Sequence, residues 1–264
     1  MRITYAARMA RLDLSLLWRN RTGLFSAVGM PLLFGALLLP ARGEVRDGVE
    51  SGLFAGTGYL AFFLIFAVFT NLVAVLTTRR EDLSLKRLRA GALGDTEILG
   101  GSVLLAGGLY LAQIGLLVLF MSTVLGGRLP ANPLLLVVGL LFGIAVFALL
   151  AAGVSGITPN ADMAQLTSMP ILMVCLVGSG VMVPLDGLPE WVRTVAELLP
   201  LSPLVEIVRT AYFGLDFTVA GAHAPVGFLA AWAACGEAFA IFGLWALAGW
   251  WASRRWFRWE PRHG

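Results

Sequence analysis

Three arrangements of reactive side chains stand out in a chain that otherwise offers few. The first is a charged run, Arg79-Arg80-Glu81-Asp82-Leu83-Ser84-Leu85-Lys86-Arg87-Leu88-Arg89, which holds the chain's one lysine. A loop that cradles nucleotide phosphates needs a lysine directly after glycine, in the pattern Gly-x-x-x-x-Gly-Lys-[Ser/Thr]. Lys86 follows Leu85 and precedes Arg87, so the chain carries no such loop. The second is Gly153-Val154-Ser155-Gly156, with His223 further on. A serine nucleophile and a histidine base must lie within about 2.6–3.2 Å of each other to act together. The third is Glu237, the one carboxylate deep in a long apolar block. An acid inside a membrane is costly and is by default a functional group. Cys175 and Cys235 both fall in apolar blocks and lack the second pair that a zinc site needs. They read as small buried apolar side chains, and no metal site is expected.

The elements that must position these groups are membrane helices. Only 13% of the residues are charged, against about 25% in soluble domains, and mean hydropathy is +0.84. About 20 mostly apolar residues span a bilayer, and six such blocks are present, at residues 22–40, 53–77, 98–125, 133–157, 165–184 and 227–252. Pro31 and Pro170 fall inside the first and fifth and are expected to kink them. Residues 1–40 superficially resemble a signal peptide, yet no Ala-x-Ala site precedes Glu44 and further spans follow, so the block is kept as span one. Lysine and arginine accumulate on the cytoplasmic side of membrane proteins. Residues 1–23, 79–89 and the tail after Ser253 together hold fourteen, against five (Arg42, Arg46, Arg128, Arg193, Arg209) on the other side. Both termini are therefore expected in the cytoplasm. Trp250, Trp251, Trp256 and Trp259 would anchor the inner end of span six among the headgroups. Arginine in place of lysine, with 31 Gly, is the composition of a GC-rich bacterial genome.

Three stretches do not span. Residues 1–21 place Arg8, Arg11, Ser15 and Arg19 on one helical face and Met9, Leu12 and Leu16 on another. That spacing predicts an amphipathic helix lying on the inner leaflet. Residues 78–97 form a basic cytoplasmic loop whose leucines, Leu83, Leu85 and Leu88, exceed what topology requires. Residues 185–226 are too polar to span, yet Leu188, Trp191, Leu198, Leu199, Leu201 and Leu204 are too apolar for a free loop. Pro200 and Pro203 break any single helix there. Two short helices re-entering the outer leaflet satisfy both facts, and Leu199, Pro200, Leu201 and Pro203 become an outer gate. No internal repeat is visible, and the chain reads as one all-α, polytopic membrane domain over residues 1–264.

The order of these parts resembles a known family. An amphipathic lead, two spans and a loop of Arg-Arg-Glu-x-x-x-x-Lys-Arg-Leu-Arg-Ala form are followed by three further spans. Then come Val183-Pro184-x-x-x-Leu188-Pro189-x-Trp191, Leu199-Pro200-Leu201-Ser202-Pro203-Leu204-Val205-Glu206 and a last span. This is similar to the membrane subunit of type-2 ABC transporters, in particular the daunorubicin-resistance-like and multidrug exporter permeases. Ala90-Gly91-Ala92-Leu93 departs from the Thr-Pro-Leu stretch expected there. The resemblance implies a permease that works as a homodimer, or a heterodimer with a related permease, in the inner membrane of a bacterium. It implies two copies of a separate ATP-binding cassette subunit, which bind ATP and Mg; this chain would hold no cofactor, contact membrane lipid and bind no nucleic acid. Arg80, Glu81, Asp82, Leu83, Leu85, Lys86, Arg87, Leu88 and Arg89 would dock on that subunit, leucines as apolar knobs and charges for specificity. Spans two and five would face the central cavity, with Phe66, Phe69, Asn71, Met169 and Met173 lining it.

The cargo implied is hydrophobic or amphiphilic: a drug, natural product, lipid or lipid-linked glycan. Glu237 is expected to meet the adjoining re-entrant segment, with Arg209 as partner, and alternatively to bind substrate or relay a proton. Three other functions compete with the exporter. An ion-gradient transporter shows broken helices, midplane charges and repeated halves, of which only Glu237 is present. A permease-like sensor module is a further alternative. Gly-x-Ser-Gly in a six-span chain also resembles rhomboid intramembrane proteases, but the expected topology puts Ser155 inside and His223 outside.

Overall fold

The computed structural model describes residues 25–46, 48–83, 95–181, 189–218, 223–257 and 259. Helix α1 (Met30–Leu37) follows a π-helical turn, Phe25–Gly29. Pro31 opens this helix instead of kinking its middle. A short hairpin pairs β1 (Val45–Arg46) with β2 (Val49–Glu50), Val45 opposite Glu50. Next come α2 (Ser51–Leu64), a second π-helical turn (Ile65–Thr70) and α3 (Asn71–Glu81), which together make one span, Ser51–Glu81. The remaining helices are α4 (Asp95–Thr123), α5 (Pro133–Ile157), α6 (Ala164–Gly178), α7 (Glu190–Glu197), α8 (Ser202–Phe213), α9 (Phe228–Ala234) and α10 (Gly236–Trp256).

Among the described residues three helices are long and apolar enough to cross a membrane: Ser51–Glu81, Glu97–Thr123 and Pro133–Ile157. A fourth crossing needs α9 and α10 together, bent by 48° at Cys235. The blocks expected as spans one and five appear as shorter apolar helices, Met30–Ala41 and Ala164–Gly178. The all-α, polytopic architecture agrees with the sequence.

Helix α5 is the hub. Asn132 caps it, its side chain accepting from the Leu135 N–H at 3.1 Å, and Pro133 follows at the first helical position. Helices α3, α8 and α10 all pack on it. The α5–α10 contact is close because glycine faces backbone there. A Cβ on Gly153 would meet Ala252 Cβ at 2.9 Å, and one on Gly249 would meet Leu149 Cβ at 3.0 Å. Packing of small residues is what holds apolar helices together when lipid is as apolar as the partner. Gly139 and Gly143 of the same helix admit Ile207 and Leu204 of α8, which seats that short helix deep in the bundle: Leu204, Ile207 and Val208 are fully buried.

Candidate functional site

Helix α3 carries the span-two face of Leu72, Val73, Leu76 and Thr77, all buried. Continuing that face by one turn places Arg80 inside as well, 2% exposed. Its Nη1 donates to the Ser155 carbonyl at 2.8 Å. Its Nη2 donates to the Thr158 carbonyl at 2.7 Å and the Pro159 carbonyl at 3.2 Å. The last carbonyls of a helix have no partner within it and carry the negative end of its dipole. Arg80 fills that role for α5. The neighbouring residues extend the grip. Arg79 Nη1 donates to Ser102 Oγ on α4 at 2.8 Å, and the Ala161 N–H donates to Glu81 Oε2 at 2.9 Å. Three successive side chains thus clasp span two to α4, to the end of α5 and to the turn that starts α6.

This corrects one expectation. Arg80 faces the α5 carbonyls and is not available to an external partner, because the buried stripe of α3 extends through it. Glu81, Asp82 and Leu83 are exposed beside it. Leu83 adopts φ 56, a left-handed conformation that costs a non-glycine residue about 1–2 kcal/mol. Leu85, Lys86, Arg87, Leu88 and Arg89 lie outside the described residues, as do the predicted helix over 1–21 and Leu188.

The residues expected to line a cavity are divided by the π-helical turn. Its extra residue breaks the 3.6-residue spacing. Phe62 and Phe66 stay together, ring centroids 4.6 Å apart, and join Phe34 of α1. Phe69 turns inward onto Phe147, with no exposure, so it belongs to the core of the subunit and does not line a cavity. Thr70 Oγ1 donates to the Phe66 carbonyl at 3.0 Å and Asn71 Nδ2 to the Ala67 carbonyl at 3.3 Å. Both side chains thus bond back to carbonyls of the π turn. Phe66 and Asn71 are half-buried. The π turn and α3 pack against α6, whose Met169 and Met173 are exposed together with Leu166 and Val177.

At the opposite end of the bundle, α7 and α8 occupy the segment predicted to re-enter. Pro200 and Leu201 are buried, Pro203 is buried at the start of α8, and Leu199 packs where any side chain at Gly178 would overlap it. Trp245 Nε1 donates to the Leu198 carbonyl at 2.8 Å, tying this turn to α10. Arg209 Nη2 donates to the Gly180 carbonyl at 3.0 Å, and its guanidinium sits 3.8 Å from the Phe54 ring centroid.

Glu237 also differs from expectation. The bend at Cys235 breaks the apolar block, so Glu237 is an exposed residue in the first turn of α10. The charge that reasoning from sequence passed over is Glu206, on α8, which does not span. Burial, then the nearby Glu197 and Glu237 carboxylates, push Glu206 up to about 8, despite Arg209 and Arg193. Its signal in the sequence was an acid three residues before Arg209 in an otherwise apolar helix. A carboxyl with a raised folded-state pKa contributes stability that is full below the unfolded pKa and is lost as pH rises through the folded one. Glu206→Gln should therefore flatten the fall in melting temperature between about pH 4.5 and 8 that the wild type shows; parallel melting curves for both would show that Glu206 ionises freely.

The proteolytic pair is not assembled. Ser155 Oγ donates to the Ala152 carbonyl at the last turns of α5. His223 stacks on Phe217 at 4.0 Å, by the first residue of the same helix, where Asn132 Nδ2 donates to the Phe228 carbonyl. The helix between is about 35 Å long at 1.5 Å per residue.

The described residues form an α-helical membrane bundle whose hub helix is gripped at one end by the last turn of span two and packed at the other by short helices. The ABC-2 type transporter family matches residues 7–213, and the chain belongs to it. It is a permease subunit of that family. No curated protein matches the chain.

Proposed function

We propose that the chain is the permease of an ATP-driven exporter for a hydrophobic or amphiphilic molecule, working as a pair of permeases with two separate ATP-binding subunits at a bacterial inner membrane. The clasp of Arg79, Arg80 and Glu81 carries this reading. A push on the basic loop is delivered through Arg80 to the hub helix and through Glu81 to the turn before α6. Helix α6 packs on the π turn and α3 and leaves Met169 and Met173 exposed, a soft and adaptable surface for apolar cargo. The excess of arginine around residues 79–89 and both termini supports a cytoplasmic docking side.

The test is purification of the tagged chain from native membrane extract with a photoreactive ATP analogue present. The expected result is labelling of a co-purifying second subunit, with no label on the permease and no hydrolysis by it alone. Micromolar labelling of the isolated permease would overturn the reading, as would a permease that retains no ATP-binding subunit.

A further inference from the structure

At the end of the bundle opposite the clasp, the β1–β2 hairpin, the turn between α4 and α5 and the end of α8 line a half-open cavity of about 630 Å³. Small-molecule sites run from about 300 to 1,000 Å³. Its frame is fixed by backbone bonds. The Ala131 N–H donates to the Tyr212 carbonyl at 3.1 Å and the Asn132 N–H to the Ala211 carbonyl at 2.8 Å. The Gly43 N–H holds Glu50 Oε1 at 2.9 Å.

Leu53, Leu129 and Phe213 give the cavity apolar walls, and Glu50, Arg128 and Tyr212 give it polar ones. Tyr212 is 4% exposed. Its hydroxyl, shielded from water, has no hydrogen-bond partner among the described residues. An orphaned buried hydroxyl costs about 1–3 kcal/mol, which a ligand bringing a partner would recover. Burial and the adjacent Glu50 carboxylate push the phenol up to about 12, so it stays protonated and both donates and accepts.

The polar set restricts the ligand. Glu50 only accepts, Arg128 only donates and Tyr212 does both. The carboxylate disfavours an anion and the guanidinium a cation. A group with several neutral hydroxyls suits all three, because each hydroxyl donates to one neighbour and accepts from another. We propose that this cavity binds the neutral, polyhydroxylated head group of an amphiphile, with Tyr212 as the central contact and Glu50 and Arg128 flanking it. The proposal does not depend on the direction of transport or on the ATP-binding partner.

The experiment uses the purified chain in phosphatidylcholine nanodiscs, without any ATP-binding subunit. Octyl β-glucoside, octylammonium, octyl sulfate and free glucose are compared as probes by the shift each produces in melting temperature. Tyr212→Phe should fold normally and melt at or above the wild-type temperature without a probe, since it removes an orphaned hydroxyl. Octyl glucoside should stabilise the wild type more than either charged probe does. Its apparent affinity should fall about tenfold in Tyr212→Phe and fall again in Glu50→Gln. Stabilisation by octyl glucoside alone assigns a lipid-borne head group, and stabilisation by glucose as well assigns a soluble sugar; both support the site. A Tyr212→Phe response equal to the wild type overturns the proposal, as does a larger shift with octylammonium or octyl sulfate.

Discussion

Replacing Arg80 by alanine should lower the melting temperature of the purified permease by about 10 °C. The guanidinium serves the Ser155, Thr158 and Pro159 carbonyls, at 2.8, 2.7 and 3.2 Å. Each buried carbonyl left without a donor costs about 1–3 kcal/mol, and the longest bond counts least, so the loss is about 3–5 kcal/mol. A chain of this size shifts by about 2–4 °C per kcal/mol. Arg80→Lys keeps the charge but offers one compact ammonium where a planar fork reaches three oxygens, and it should recover about half of the loss. Melting at a fixed scan rate in one detergent gives the comparison. An Arg80→Ala variant that melts within about 2 °C of the wild type would mean that water replaces the guanidinium and the clasp holds nothing. If the clasp also transmits force, Arg80→Lys should hydrolyse ATP in the assembled complex while its transport falls more steeply.

The second large effect concerns the loop itself. Leu85→Asp combined with Lys86→Glu and Arg87→Glu should remove the ATP-binding subunit from the permease while leaving insertion intact. The run alternates leucine with cations over 83–89, and Leu83, the last described residue of that run, is exposed in a left-handed conformation. Placing an aspartate in an apolar contact costs several kcal/mol. A micromolar contact is worth about 8 kcal/mol, and two reversed charges add repulsion. Retention of the ATP-binding subunit at wild-type yield would place the docking surface elsewhere. Unlike Arg80→Ala, this variant should melt at the wild-type temperature, since none of its three positions belongs to the clasp.

Hydropathy made most of the helical architecture legible. The blocks at 53–77, 98–125 and 133–157 correspond to the long helices, and the proline pair at 200 and 203 separates α7 from α8 as expected. Two of the failures share one cause. Periodic reading assumes an unbroken helix, and two breaks carry no proline. The π turn at Ile65–Thr70 sends Phe69 into the core, and the bend at Cys235 brings Glu237 to the surface. Arg80 was hidden by a different effect: within a run of like residues, residue type does not mark the one whose register carries the buried face. The signal was available in the spacing from Leu72, Leu76 and Thr77. The cavity of Glu50, Arg128 and Tyr212 draws on three distant segments, and no local pattern unites them.

The π turn also sets a rule of length. Each residue of a helix advances it by about 100° and 1.5 Å, and the turn lies between α2, which Gly56 fits against Met121 of α4, and α3, which delivers Arg80 to the α5 carbonyls. Its additional residue is what brings both halves into phase with their separate partners. Exchange of one apolar residue for another within 65–70 leaves that phase untouched. Loss or gain of a single residue there swings Arg80 about a quarter of the way round its axis and out of the carbonyl cradle. Span two is consequently a gauge as well as a strut: the residue count of that stretch is fixed even where one apolar side chain can stand in for another.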